Sequence, residues 1–180
     1  SALQSLAVGS AAGCSNPTKA ASVPDIYSDK ASQITKVCGA STPGGTWTPS
    51  AKPSGGALIT VTKSTHTEYH VCGKLTLSGS GTLFGTGSGS DSVIIVENGD
   101  IDVADKAAMS ATRTAFVLTG GSTASHAITF PQGKGKAATL AITPPTVDQN
   151  PWRNVALYQD PALTSNVDMT WGPGATLTAD

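Results

Sequence analysis

From residue 57 onward, apolar residues fall into brief clusters cut by glycine, serine, asparagine and aspartate. The clusters occupy 57–62, 69–72, 74–77, 92–96, 100–103, 115–119, 127–130, 139–142 and 154–158. They recur at intervals of about 8 to 14 residues and are dominated by β-branched side chains, the pattern of short strands. Corners are predicted at 78–81, 85–89, Asn98-Gly99, Gly120-Gly121 and 133–135, where glycine or asparagine reaches positive φ at low cost.

The spacing then separates two all-β architectures. A β-sandwich would show longer strands with a clear alternation of inward and outward residues. Here short apolar pieces alternate with small polar corners, which suits a right-handed parallel β-helix (a β-solenoid) whose coils stack and fill the interior with side chains. No strict repeat period emerges, so the sandwich stays as the alternative.

Residues 1–56 differ in texture and read as an irregular lead-in or cap, with 57–180 as the solenoid domain. Pro17, Pro24, Pro43, Pro49 and Pro53 break any long element in the lead-in. One short helix is predicted from Val23 to Val37: Pro24 suits a first turn, Asp25 favours an N-terminus, and Ile26, Ala31, Ile34 and Val37 are spaced near the helical period.

Composition supports the β reading and narrows the function. The 20 serines and 24 threonines make up about a quarter of the 180 residues, whereas good helix formers are scarce. With 11 basic against 12 acidic side chains, and the basic ones scattered, there is no field to attract a polyanion, so nucleic acid is not an expected partner. No apolar run approaches the ~20 residues of a membrane span, and residues 1–10 lack the basic and apolar regions of a signal peptide. Any targeting or anchoring segment is therefore expected outside this chain.

Three cysteines leave one over whichever pair forms. In an oxidising compartment Cys38 is expected to pair with Cys72, because Cys72 sits in a predicted strand and Cys38 ends the segment leading towards it. Cys14 then looks for a partner missing from this chain. Three reduced cysteines in a cytoplasmic protein are the alternative.

Several constellations could carry chemistry. His66, Glu68 and His70 share one face of an extended strand and could converge on a metal as two imidazoles and a carboxylate; a polar strand face is the plain alternative. Glu97, Asp100, Asp102 and Asp105 supply oxygen ligands for calcium if the chain curls around them, although the EF-hand order is absent. Asp100, Asp102 and Asp105 could also pose as paired carboxylates for polysaccharide cleavage, which requires two carboxyls at fixed separation. Trp152, Arg153, Tyr158 and Trp171 are the interface candidates, being the residue types that anchor protein contacts; packing of the last coil competes for the same residues. No nucleophile elbow, P-loop, dinucleotide fingerprint or Cys-x-x-Cys pair is present.

A set of ordered segments adds a family resemblance. Glu68-Tyr-His-Val-Cys-Gly-Lys-Leu-Thr-Leu-Ser-Gly-Ser-Gly-Thr-Leu83, 93–99, 112–120, 130–136, Asn150-Pro-Trp-Arg-Asn-Val-Ala-Leu-Tyr-Gln-Asp-Pro161 and Trp171-Gly-Pro-Gly-Ala175 resemble the exported C-terminal region of TadG-like proteins, accessory proteins of tight-adherence (Tad/Flp) pilus assembly. The resemblance spans roughly residues 20–180. It implies an extracytoplasmic location in the periplasm or at the cell surface, and a membrane anchor supplied by sequence absent here. It further implies partners among pilus or envelope proteins, and a domain that continues past Asp180. The Asp-x-Ser-x-Ser metal motif of von Willebrand-type domains, which many relatives carry, is missing.

The expectation is therefore a non-enzymatic extracytoplasmic structural and interaction domain with no cofactor, whose exposed solenoid end favours self-association. The competing expectations are a secreted carbohydrate-active β-helix enzyme, and a metal-dependent adhesin built on calcium or on the histidine set.

Overall fold

The computed structural model describes residues 27, 29–39, 44–51, 58–87, 89–121, 126–134, 136–163 and 169–180. Cys14 and the start of the predicted helix, 23–26, lie outside them. What the described part of that helix shows is one 3-10 turn, Lys30–Gln33, after which 34–39 carry no regular structure. Lys30 N–H bonds back to Tyr27 O and Ser32 N–H to Asp29 O, a run too short to continue as an α-helix.

Among the described residues fourteen strands follow: β1 (Gly45–Trp47), β2 (Leu58–Thr62), β3 (His66–Cys72), β4 (Leu75–Leu77), β5 (Ser80–Thr82), β6 (Asp91–Glu97), β7 (Ile101–Val103), β8 (Ala108–Ala111), β9 (Thr114–Thr119), β10 (Ile128–Thr129), β11 (Thr139–Ile142), β12 (Leu157–Gln159), β13 (Met169–Thr170) and β14 (Thr176–Ala179). They form three sheets, ordered β1-β4-β7-β10-β13, β14-β11-β8-β5 and β12-β9-β6-β3-β2. Every strand pair is parallel except β2 with β3. The chain visits the third, first and second sheets in turn, then starts the next coil, which makes a right-handed parallel β-helix and excludes the sandwich.

Stacking register explains the core. Tyr69, Ile94, Phe116 and Leu157 lie one above another in the third sheet, and Leu75, Ile101, Ile128 and Met169 do so in the first. Because side chains alternate across a strand, these columns point inward together and form one continuous core that includes Trp47, Leu77, Phe130 and Leu140. Solenoid pairing also starts before residue 57, since β1 of the lead-in pairs with β4 in register Trp47 to Leu77.

The two ends differ. At the first end the hairpin β2–β3 covers the third sheet, and Pro49 sits against Gly79 and Gly81. At the last coil, Met169 and Trp171 continue the inward columns but meet no further coil among the described residues, and Trp171 remains 45% exposed while stacked on Phe130 at 4.7 Å. Corners are tight: a Cβ on Gly99 would fall inside the backbone of Gly73 and Lys74, one coil before it.

The difference between neighbouring coils sets a testable contrast. Phe130 is fully buried, so Phe130→Ala should cost about 3–5 kcal/mol through lost burial and a cavity. Trp171→Ala, stacked on it at the exposed end, should cost roughly 1 kcal/mol. Urea unfolding of the two variants checks the ordering, and equal costs would show that the last coil is covered in solution.

Candidate functional site

Strands β3, β6 and β9 of the third sheet are buried on both faces. Alternation along β6 sends Ile94 and Val96 inward and Asp91, Val93, Ile95 and Glu97 outward, and all of them are buried. The outward apolar residues form a second core of Val93, Ile95, Ala115, Val117, Trp152, Val155 and Tyr158, with Ile34 packed against it. Two segments that do not pair with the sheet provide the cover: 34–39 on one flank and 145–155 on the other.

Each cover is fastened by a carboxylate at one end of β6. Glu97 accepts the Val37 N–H at 3.0 and 3.1 Å and the Cys38 N–H at 3.0 Å. Asp91 accepts the N–H groups of Thr146 (3.1 Å) and Val147 (2.8 Å), the Asn150 side-chain amide (2.9 Å) and Arg113 Nε (2.9 Å). Burial alone would push both carboxyls up, but these donors reverse it and hold both below the ordinary range, with His70 adding to the effect at Glu97.

The residues singled out as a metal set stand in line beside Glu97. Strand periodicity puts His66, Glu68, His70 and Cys72 on the outer face of β3, and register places Cys72 next to Glu97. Their ring nitrogens are engaged with carboxylates and a hydroxyl. His66 Nδ1 meets Thr65 Oγ1 at 3.0 Å and its Nε2 meets Glu68 Oε1 at 3.2 Å, while His70 Nε2 meets Glu68 Oε2 at 3.3 Å and its Nδ1 meets Glu97 Oε1 at 3.0 Å. Lys63 Nζ approaches Glu68 Oε2 at 3.6 Å.

Charge follows from this chain of contacts. Carboxylate oxygens only accept, so with one at each nitrogen both contacts favour the doubly protonated form of His70. Desolvation opposes that charge, but the bonds to Glu68 and Glu97 prevail and raise its pKa. Glu68 is likewise penalised by burial, yet the bonds from His66 and His70 and the charge of Lys63 bring it from 4.5 down to about 2. The arrangement is an internal ion chain that ends on the backbone of the covering segment.

The disulfide lies at the same point. Cys38 and Cys72 are bonded with Cα atoms 5.4 Å apart, as the sequence led us to expect, and the link closes a separation of 34 residues. A loop of that size is worth about 3–4 kcal/mol on the chain-entropy account.

The other candidate sets do not assemble. Glu97 faces outward from the third sheet, whereas Asp102 faces outward from the first, where it pairs with Lys74. Asp100 Oδ1 accepts the Ala127 N–H at 2.8 Å, and Asp105 is exposed at the following turn. The calcium grouping is therefore corrected, since the corner at Asn98-Gly99 turns the chain from one sheet to the next between Glu97 and Asp100. Among the described residues no group of three or more His, Cys, Asp or Glu side chains could hold a metal ion. Asp102 and Asp105 do border one shallow groove with Thr76, Thr129, Gln132 and Lys136.

The interface candidates divide. Trp152 and Tyr158 are buried in the outer core and meet edge to face at 5.3 Å, so packing takes them. Arg153 is exposed and pairs with Asp148 at 3.1 Å, and Trp171 is the exposed stacker of the last coil. Asp91 was not foreseen as a structural anchor. Its signal in the sequence is an acid at either end of the strand Asp91–Glu97, whose 93–96 are all apolar, which neither a turn nor a solvent-facing strand needs.

No family model, curated protein or solved structure matches this chain. No helix among the described residues is long and apolar enough to cross a membrane.

The ion chain fixes a pH dependence. Glu68 and Glu97 have lowered pKa values, so their contribution is complete above the ordinary value of 4.5 and is lost as pH falls, towards about 2 for Glu68. His70 has a raised pKa, so its contribution is complete below 6.5 and is lost as pH rises through the raised value. This cluster therefore stabilises most between 4.5 and 6.5. Unfolding free energies measured across pH should show His70→Gln removing the decline on the alkaline side, and Glu97→Gln costing about 2–4 kcal/mol at pH 6.

Proposed function

We propose that this chain is a non-enzymatic, extracytoplasmic structural and interaction domain of a TadG-like protein associated with Tad/Flp pilus assembly and surface adhesion. The observation that carries the reading is a parallel β-helix whose lead-in is pinned by a disulfide. Stacked coils suit a rigid surface, and a disulfide suits an oxidising compartment. The ordered resemblance to TadG-like proteins supplies the pilus context, with a membrane anchor provided by sequence outside this chain.

The second sheet offers the contact surface. Its outward columns are Ser80, Ala108, Thr139 and Thr176, and Thr82, Ser110, Ala141 and Thr178. All are exposed or half-exposed, and none is charged. Thr82 and Ser110 hydroxyls meet at 3.1 Å. A flat, uncharged face of small hydroxyl side chains fits docking to pilus or envelope proteins by shape and hydrogen bonding rather than by long-range steering.

The groove beside Asp102 and Asp105 favours a second reading, a carbohydrate-active enzyme. Deletion of the gene, complemented with a version lacking only this domain, separates the two. Loss of surface pili or of attachment in that complement is the outcome expected. Normal pili and attachment would sink the pilus reading, and turnover of pectic or host glycans abolished by Asp102→Asn would replace it with the enzyme.

A further inference from the structure

The covering segment 34–39 is attached unlike any paired strand of the solenoid. Its described amides give no hydrogen bond to a strand backbone: Val37 and Cys38 donate to the Glu97 side chain, and Ile34 turns back to Ala31 O. The remaining ties are Lys36 Nζ to Gly120 O at 3.2 Å and to Asp160 at 3.7 Å, the Ile34 side chain in the outer core, and the Cys38–Cys72 bond. Only the last is covalent.

The solenoid beneath does not use the segment. β6 is laddered to β3 and β9 on either side, and the opposite cover is tied by Asp91 without a disulfide. Accessibility is unequal within the bond: Cys38 is half-buried, while Cys72 is 1% exposed. Of the two cysteines, Cys38 is therefore the one nearer the surface.

We propose that Cys38–Cys72 is a thiol–disulfide exchange site for a protein dithiol, and that its reduction unfastens 34–39 from the Glu97 end of the third sheet's outer face. One thiolate of the dithiol attacks Cys38 Sγ and forms a mixed disulfide. The Cys38–Cys72 bond breaks, and its electron pair leaves on Cys72 Sγ, which takes up a proton. The second thiol of the reductant loses its proton and attacks its own partner sulfur in the mixed disulfide. Cys38 then leaves and is protonated, so two electrons and two protons reach the pair and the dithiol becomes a disulfide. With both thiols formed, only the Glu97 and Lys36 contacts and one isoleucine hold the segment.

Hydrogen exchange followed by mass spectrometry on the purified chain tests this, comparing oxidised, dithiothreitol-reduced and reoxidised protein. Reduction should speed exchange at the amides of Val37 and Cys38 by about tenfold or more, leave β6 and β9 unchanged, and reverse on reoxidation. Cys38→Ser should show the same pattern without reductant. Unchanged protection of 34–39 would overturn the proposal, as would a bond that dithiothreitol opens only on global unfolding. Loss of protection in β6 and β9 in step with the segment would overturn it too.

Discussion

Chain that covers a sheet without pairing to it leaves its own amide groups needing acceptors. Asp91 and Glu97 meet that need at the two ends of β6, where each receives backbone N–H groups of a crossing segment. A neutral amide could not accept from so many donors with the same strength, and water is excluded from a face this buried. Without these acceptors the outer core of Val93, Ile95 and Val117 would face solvent on a strand whose other face is already committed to the interior.

This use of charge changes how the composition reads. Twelve acids in 180 residues look like a protein with little electrostatic character. Yet Glu68, Asp91, Glu97 and Asp160 are buried, and each is hydrogen-bonded to a neighbouring segment or imidazole. Part of the charge that would ordinarily solubilise a surface organises the interior instead, and the outer face of the second sheet carries threonine, serine and alanine. A surface of that kind resists screening by salt because it has little to screen.

The fold was legible because its strongest signals are local: β-branched clusters at 92–96 and 115–119, with turn residues at Asn98-Gly99 and Gly120-Gly121. β5 escaped because Ser80-Gly-Thr82 carries no apolar residue, and β14 because the alternation in Thr176–Ala179 is only four residues long; register against β8 and β11 makes them strands. β1 escaped for a different reason, lying among prolines that argue against any element. The site was half legible. Alternation along β3 correctly grouped His66, Glu68 and His70, but Glu97 comes from the next coil, and only stacking brings it to His70. Packing of Trp152 and Tyr158 was one of the two readings, but its place on the outer face could not be read, since it depends on a loop folding back over a neighbouring strand.

The antiparallel hairpin at the first end has a kinetic meaning. β2 and β3 are joined across only 63–65, so their pairing closes a short loop, whereas each later coil must bring together residues much farther apart in sequence. Among the described residues the hairpin is the strand pair closed by the shortest stretch of chain, and its other edge on β3 pairs with β6, as β6 does with β9. Assembly thus has a direction that runs from the N-terminal side towards Asp180. A chain delivered N-terminus first, whether from a ribosome or through a membrane, can lay down each coil on a finished one before the next arrives.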